Sequence, residues 1–351
     1  MRRVKGIDGY RGLAALMIAL YHVWGNRGAF TKGYLAVDFF FIVSGFFLFY
    51  SKTEKINSGY DYMKKATYRF FPKIFCIYTT LILFQYAIGN WSKDVICQRA
   101  INYVYEILGF HILGISSEYY IYSAIWFIPV LIFISMLYIS MDKINSKAFI
   151  TVILPLIILG AYTYLFSIYG NLADFRDVHE GSLFIKGVWR GMAGLGVGIL
   201  LSYGRHYLKN IVRAIRPITI GLLEIVNVVI LLLIMFLPPE KSSDILIVPC
   251  SCVLIILCYA ERGIGHYVME AYPFKKLGQI SEEIYLSHIF ALIFTRLVGE
   301  LVFGTTALEH FNLGVTVILL STTIFFAILF KWLIIPLEIA GIKKILFRKN
   351  K

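Results

Sequence analysis

The sequence is poor in charged residues, which make up only 16% of its 351 positions. Soluble domains carry about 25% charged residues, so the composition excludes an ordinary soluble protein. The chain also lacks the alternation of apolar and polar residues that marks the strands of a membrane barrel. Long apolar runs are present instead, with 59% hydrophobic residues and a mean hydropathy of +0.74. Because backbone groups in lipid must be hydrogen-bonded within their own element, we predict an all-α, polytopic membrane bundle.

Cysteine is scarce as well, with five residues. They lie mostly inside apolar stretches, and Cys250 and Cys252 lack the spacing and neighbouring histidines of a zinc site. We therefore expect the cysteines to be packing residues and expect no bound metal.

The apolar runs predict about ten transmembrane helices, since a bilayer core of ~30 Å requires ~20 apolar residues per helix. With the N-terminus inside, the inner segments carry 22 Lys and Arg residues and the outer loops carry six. The positive-inside rule then predicts that both termini are cytoplasmic. The predicted spans are 8–25, 33–51, 70–90, 121–141, 148–167, 184–202, 218–237, 243–260, 277–298 and 313–336.

The net charge of +13 does not indicate nucleic-acid binding, because the basic residues are spread over short connectors between the spans.

The basic N-terminus resembles a signal peptide, but no small-residue cleavage site follows it, so we expect a retained first helix. The long outer segment 91–120 has room for an interfacial or re-entrant helix. We expect one domain over residues 1–351, with no attached soluble domain.

Two ionisable residues share a face of the first predicted span. Arg11 and His22 are eleven residues apart, which is close to three helical turns and a rise of about 16 Å. Arg11 then lies near the cytoplasmic boundary and His22 in the outer half. Asp38 enters from the second span at a similar depth, about 7 Å below the outer edge. An Asp–His pair suits a general base that deprotonates a hydroxyl; the alternative is a buried pair that only locks two helices together.

Two further groups complete the candidate site. Arg69 ends a basic connector on the same side as Arg11, where it could bind phosphates of a nucleotide-bearing donor, although lipid headgroups would also attract this charge. Ser281, Tyr285 and His288 share one face of the ninth span. A histidine at mid-membrane is either functional or a hydrogen-bonding link between helices.

Taken together and in this order, these features resemble the acyltransferase-3 family of membrane acyltransferases, which modify bacterial surface polysaccharides and other acceptors. The resemblance covers essentially the whole chain. It rests on Arg11 and His22, the Val-Asp-Phe-Phe-Phe-Ile-Val-Ser-Gly stretch around Asp38, Arg69-Phe-Phe-Pro, Trp126 in Ile-Trp-Phe, and Ser281 with Tyr285-Leu-Ser-His288. Glu282 and Glu283 depart from the family pattern, which often has Tyr or Ser there.

The resemblance implies an acyl-CoA-dependent O-acyltransferase of the bacterial cytoplasmic membrane. It would transfer an acyl group, commonly acetyl from acetyl-CoA, to a hydroxyl of an extracytoplasmic carbohydrate such as a capsule, exopolysaccharide or O-antigen sugar. We hypothesise that Arg11 and Arg69 hold the CoA phosphates on the cytoplasmic side. His22, oriented by Asp38, would be either a general base or an acyl carrier. The residues expected to line the substrate passage are Ser44, Trp126, Arg190, Ser281, Tyr285 and His288.

Two alternative interpretations of these residues remain open. Arg190 could instead extend to the outer headgroups. A transporter or flippase of a lipid-linked sugar would also place Arg, His and Asp inside a helical bundle, without chemistry.

Overall fold

The computed structural model describes residue 4 and residues 6–50, 57–89, 91–113, 123–237, 243–304 and 311–336. Every regular element within these ranges is helical. The α-helices are α1 (Ile7–Trp24), α2 (Ala36–Tyr50), α3 (Gly59–Ala87), α4 (Lys93–Ile107), α5 (Phe127–Ile144), α6 (Ser146–Ala148), α7 (Leu154–Ile168), α8 (Lys186–Ala214), α9 (Pro217–Phe236), α10 (Ile247–Ala260), α11 (Ile264–Glu270), α12 (Tyr272–Gln279), α13 (Ser281–Phe303) and α14 (Leu313–Leu329).

Eight helical segments of the described chain are long and apolar enough to cross a membrane. They contain α2, α3, α5, the continuous α6–α7 unit, α9, α10, α13 and α14. The π-helical turn Phe149–Ile153 joins α6 to α7, and a second one, Phe330–Ile334, extends α14. The predicted class, an all-α polytopic membrane bundle, is confirmed.

The first and sixth predicted spans correspond to α1 and α8, which are not among those eight segments. Both carry charged residues, Asp8 and Arg11 on α1 and Arg190 on α8. Both also contribute fully buried side chains to the bundle, such as Trp24 and Leu195. A helix surrounded by other helices does not need an apolar surface on every side, because its polar groups contact protein and not lipid.

Helices α2 and α8 are in very close contact through glycines. A Cβ built on Gly45 would lie 2.1 Å from the carbonyl oxygen of Leu195, and one on Gly198 would lie 2.0 Å from that of Ile42. Small residues of this kind let membrane helices approach backbone to backbone. This contact holds the face of α2 that carries Asp38 against α8.

Helix α1 runs parallel to the α12–α13 segment. Near its start, Gly12 packs on Gly278, where an added Cβ would lie 2.8 Å from the Gly278 nitrogen. Ten residues further along both segments, His22 meets His288. Residues from the first and the ninth predicted spans therefore stay together over about 15 Å of rise.

Some helix boundaries differ from those predicted. Helix α3 begins at Gly59 rather than near residue 70, because the Ser58 side chain caps it by accepting from the Asp61 amide at 3.0 Å. Pro72 lies inside α3 and does not start a helix, so the predicted connector around Arg69 is helical. The described part of segment 91–120 contains α4, so a helix is present there.

Candidate active site

A cavity of about 660 Å³ lies between α1, α2, α3, α5 and the α12–α13 segment. Its lining includes half of the residues that the sequence singled out, drawn from four separate stretches of the chain. These are Arg11, Ser44, Arg69, Ser281 and Tyr285. The fold thus brings the predicted phosphate-binding arginines and one end of the predicted passage into one space.

Basic residues from several helices line this cavity. Lys73 follows Arg69 by one turn of α3, and Lys331 comes from the end of α14. Lys73 and Lys331 are each about three-quarters buried, whereas Arg69 is 61% exposed. Together with Arg11, they line the cavity with four cationic side chains. Such a group can bind phosphate oxygens by charge-assisted hydrogen bonds.

Two carboxylates of α13 contact these cations. Glu282 accepts from Arg69 and from Lys73, the latter at 2.6 Å. Glu283 accepts from Lys73 at 2.9 Å and from Lys331 at 3.4 Å. On α1, Asp8 pairs with Arg11 at 3.4 Å. Every basic group of the cavity therefore has an acidic neighbour.

Aromatic residues also line the cavity. Phe40 of α2, Phe127 of α5 and Tyr285 of α13 line it, with Tyr285 centred 6.2 Å from Phe40 and 5.6 Å from Phe127. The Tyr285 hydroxyl donates to the carbonyl oxygen of Ala124, which fixes the ring. The Tyr285 ring is also 6.0 Å from that of His288. Tyr285 thus links the cavity lining to the histidine.

His22 and His288 form a stacked pair. Their ring centroids are 5.0 Å apart and the ring planes differ by 23°. His288 is fully buried, and its Nδ1 donates to the Tyr285 carbonyl oxygen at 2.7 Å, so in the neutral ring Nε2 carries the lone pair. His22 retains exposed surface. The accessible imidazole is therefore supported by a second one whose orientation is fixed by backbone.

The predicted contact between Asp38 and His22 is wrong. Asp38 is paired with Arg190, which donates to its two carboxylate oxygens at 3.3 and 2.6 Å. Both side chains are almost fully buried. The close α2–α8 packing places Asp38 against α8. The same pairing excludes the alternative in which Arg190 extends to the headgroups.

The ion pair belongs to a larger buried polar network. Arg190 also donates to the Tyr34 carbonyl oxygen at 3.2 Å, and the Tyr34 hydroxyl donates to Asp244 at 2.7 Å. Lys32 donates to the same carboxylate at 2.8 Å. The Trp126 ring lies 5.3 Å from the Arg190 guanidinium, a cation–π distance. Trp126 thus contacts this network and not the cavity, although it was predicted as a passage residue.

Sequence reasoning did not single out Lys32, Tyr34, Asp244, Lys73 and Lys331. Lys73 carried a usable signal, because it lies four residues after Arg69 and so on the same helical face. Lys331 and Asp244 carry no comparable signal. Lys32 and Lys73 have partners more than 200 positions away in sequence, and the partner of Lys331 is 48 positions away, so local patterns do not reveal them. The described residues contain no group of three or more His, Cys, Asp and Glu placed to hold a metal.

The fold and site define a polytopic membrane protein with a charged cavity beside a stacked imidazole pair, an arrangement suited to group transfer. The acyltransferase-3 family, described as "Acyltransferase domain", matches residues 4–332. The chain therefore belongs to this family, and family membership implies a transferase.

Curated relatives support the same class. Two proteins of Staphylococcus aureus, from strains COL and MRSA252 and each named "Putative O-acetyltransferase", are 23% and 22% identical to the chain over 387 aligned residues. The alignments cover 100% of this chain and 60% of each relative, so the chain spans about 60% of their length. No solved structure matches the chain significantly.

Proposed function

We propose that this membrane transferase moves an acetyl group from acetyl-CoA, bound from the cytoplasm, to a hydroxyl of an extracytoplasmic carbohydrate. One observation carries the proposal: a cavity with four cationic side chains is also lined by Tyr285, whose ring lies 6.0 Å from that of His288 in the His22–His288 pair. The cationic side chains suit the phosphates of CoA. The aromatic side chains suit an uncharged chain on its way to the histidines.

His22 is the proposed catalytic residue. As general base, it takes the proton of the acceptor hydroxyl while the oxygen attacks the thioester carbonyl carbon, and the carbon–sulfur bond then breaks to release CoA. As acyl carrier, it is acetylated first and passes the group on in a second step. In either route His288 is a positioning residue, since its stacked ring limits the rotation of His22.

The proposed role of Asp38 is structural and differs from the predicted role of orienting His22. It compensates the Arg190 charge and thereby stabilises the network beside Trp126, at the outer ends of α2 and α8. Arg11 and Arg69 remain proposed donor-binding residues, now joined by Lys73 and Lys331. The proposed orientation is that of the positive-inside rule, with the cavity facing the cytoplasm.

The proposal is tested with purified protein in liposomes, acetyl-labelled acetyl-CoA, and a panel of bacterial capsule, exopolysaccharide and O-antigen preparations. Wild-type protein is expected to place alkali-labile label on one of these polysaccharides. His22→Ala is expected to lose at least about 100-fold of this activity, the scale of general-base catalysis. His179→Ala, at an exposed histidine of the 169–185 loop, is the matched control.

Persistent transfer in His22→Ala would remove His22 from the catalytic role. The same experiment can also reject the acyltransferase proposal. If wild-type protein transfers no label but moves a lipid-linked sugar across the bilayer, the transporter alternative is correct.

A further inference from the structure

The basic residues of the cavity are already bound by acidic residues of the same chain. Glu282 bridges Arg69 and Lys73, and Glu283 bridges Lys73 and Lys331. These two carboxylates are 15% and 6% exposed, and Lys73 and Lys331 are about three-quarters buried, so the ion pairs of the two lysines are partly shielded from water. The Arg69 side chain is 61% exposed and its ion pair is more open. Partly buried pairs are screened less by salt than surface pairs. They therefore compete strongly with any other anion for the same cations.

While these ion pairs persist, the net positive charge of the cavity is too small to neutralise a polyanionic donor. Its described lining contains four basic residues and three acidic ones, Asp8 among them, so the net charge is +1. Coenzyme A carries a diphosphate and a 3′-phosphate, together about four negative charges near neutral pH. Phosphates can approach Arg69 and Lys73 closely only if Glu282 releases them.

We propose that Glu282 and Glu283 act as an internal counter-anion that determines the affinity for the donor phosphates. This inference rests on the proposed function, because it concerns the same cavity and the same donor. In the empty site Glu282 occupies Arg69 and Lys73. Binding of CoA exchanges these contacts for phosphate contacts, and Glu283 keeps Lys331 and the base of α13 in place.

The exchange weakens donor binding. When a ligand binds only to a state that is fractionally populated, its apparent dissociation constant is raised by the inverse of that fraction. The product CoA carries the same phosphates as acetyl-CoA, so its affinity falls equally. The acidic pair would thus shorten the time for which CoA remains bound after transfer.

A binding experiment separates this role from a merely structural one. Glu282→Gln keeps the size of the side chain and removes its charge. We expect it to bind CoA about tenfold more tightly, a gain of about 1.4 kcal/mol, because the neutral side chain competes less with phosphate for Arg69 and Lys73. Pantetheine, which has no phosphates, should bind both proteins equally. If Glu282 served only to attach α3 to α13, the variant would be less stable and would bind CoA no more tightly.

The matched control is Glu300→Gln on the same helix. Glu300 pairs with Arg296 at 3.0 Å, far from the cavity and on an exposed face, so CoA affinity should not change. Binding is measured by calorimetric titration of the detergent-purified full chain with CoA, 3′-dephospho-CoA and pantetheine. Equal CoA affinity of wild type and Glu282→Gln would overturn this inference alone. Absence of CoA binding to both proteins would overturn the donor assignment and the inference with it.

Discussion

The buried Asp38–Arg190 pair allows a direct test of whether Asp38 serves the histidine or the bundle. In Asp38→Asn the Arg190 guanidinium loses its counter-charge while only 2% exposed. Breaking a buried ion pair by removing one partner costs about 3–5 kcal/mol in proteins, because the remaining charge is left uncompensated. Asp38→Asn should therefore lower the thermal unfolding temperature of the detergent-purified protein by many degrees.

The double variant Asp38→Asn with Arg190→Gln is the decisive comparison. It places an amide beside an amide and leaves no uncompensated charge at this position. Because the large cost of breaking a buried pair comes from the uncompensated charge, the double variant should regain most of the lost stability. The coupling free energy from this double-mutant cycle isolates the pair.

The reasoning would be refuted by either of two results. One is a single variant, Asp38→Asn, that unfolds at the wild-type temperature but loses activity, as a catalytic orienting residue would. The other is a double variant that is as unstable as the sum of the two single variants. The unfolding midpoint is followed by intrinsic tryptophan fluorescence, and acetyl transfer is assayed on the same samples.

Three further predictions concern other parts of the bundle. Gly198→Ala should lower the unfolding temperature, because its Cβ would lie 2.0 Å from a backbone oxygen of α2. The control is Gly204→Ala on the same helix, which should leave the unfolding temperature unchanged because the nearest atom to its Cβ would be 3.6 Å away. Thr316→Val should cost about 1–3 kcal/mol, since it removes the acceptor of the buried Trp24 indole N–H, bonded at 3.0 Å; unchanged stability would contradict this. His288→Asn should reduce kcat at least about tenfold through misplacement of the stacked partner, with donor KM little changed; steady-state acetyl transfer measures both.

Much of the architecture could be predicted from the sequence, since length and hydropathy alone locate membrane helices. The shared face of Arg11 and His22 follows from helical periodicity. These arguments give the depth of a residue along the membrane normal. They do not give its lateral position, which is why Asp38 was expected beside His22 and is found beside Arg190.

The acidic neighbours of the cavity show the same limit. Glu282 and Glu283 were visible as departures from a family pattern, but their partners lie on α3 and α14. Positions of these helices depend on packing between segments that are far apart in sequence. The close glycine contacts of α2 with α8 illustrate this, since the apolar pattern of either helix alone does not select its neighbour.

The parallel run of α1 beside α12 and α13 has a consequence for biosynthesis. The first helix enters the membrane with an arginine and a histidine, and the residue on which His22 stacks is made more than 260 positions later. At a synthesis rate of about 5–20 residues per second, that interval lasts on the order of 10–50 s. During this time His22 must be held by temporary neighbours, such as lipid headgroups, water or the insertion machinery. The stacked pair of His22 and His288 therefore forms only after the ninth predicted span has been made.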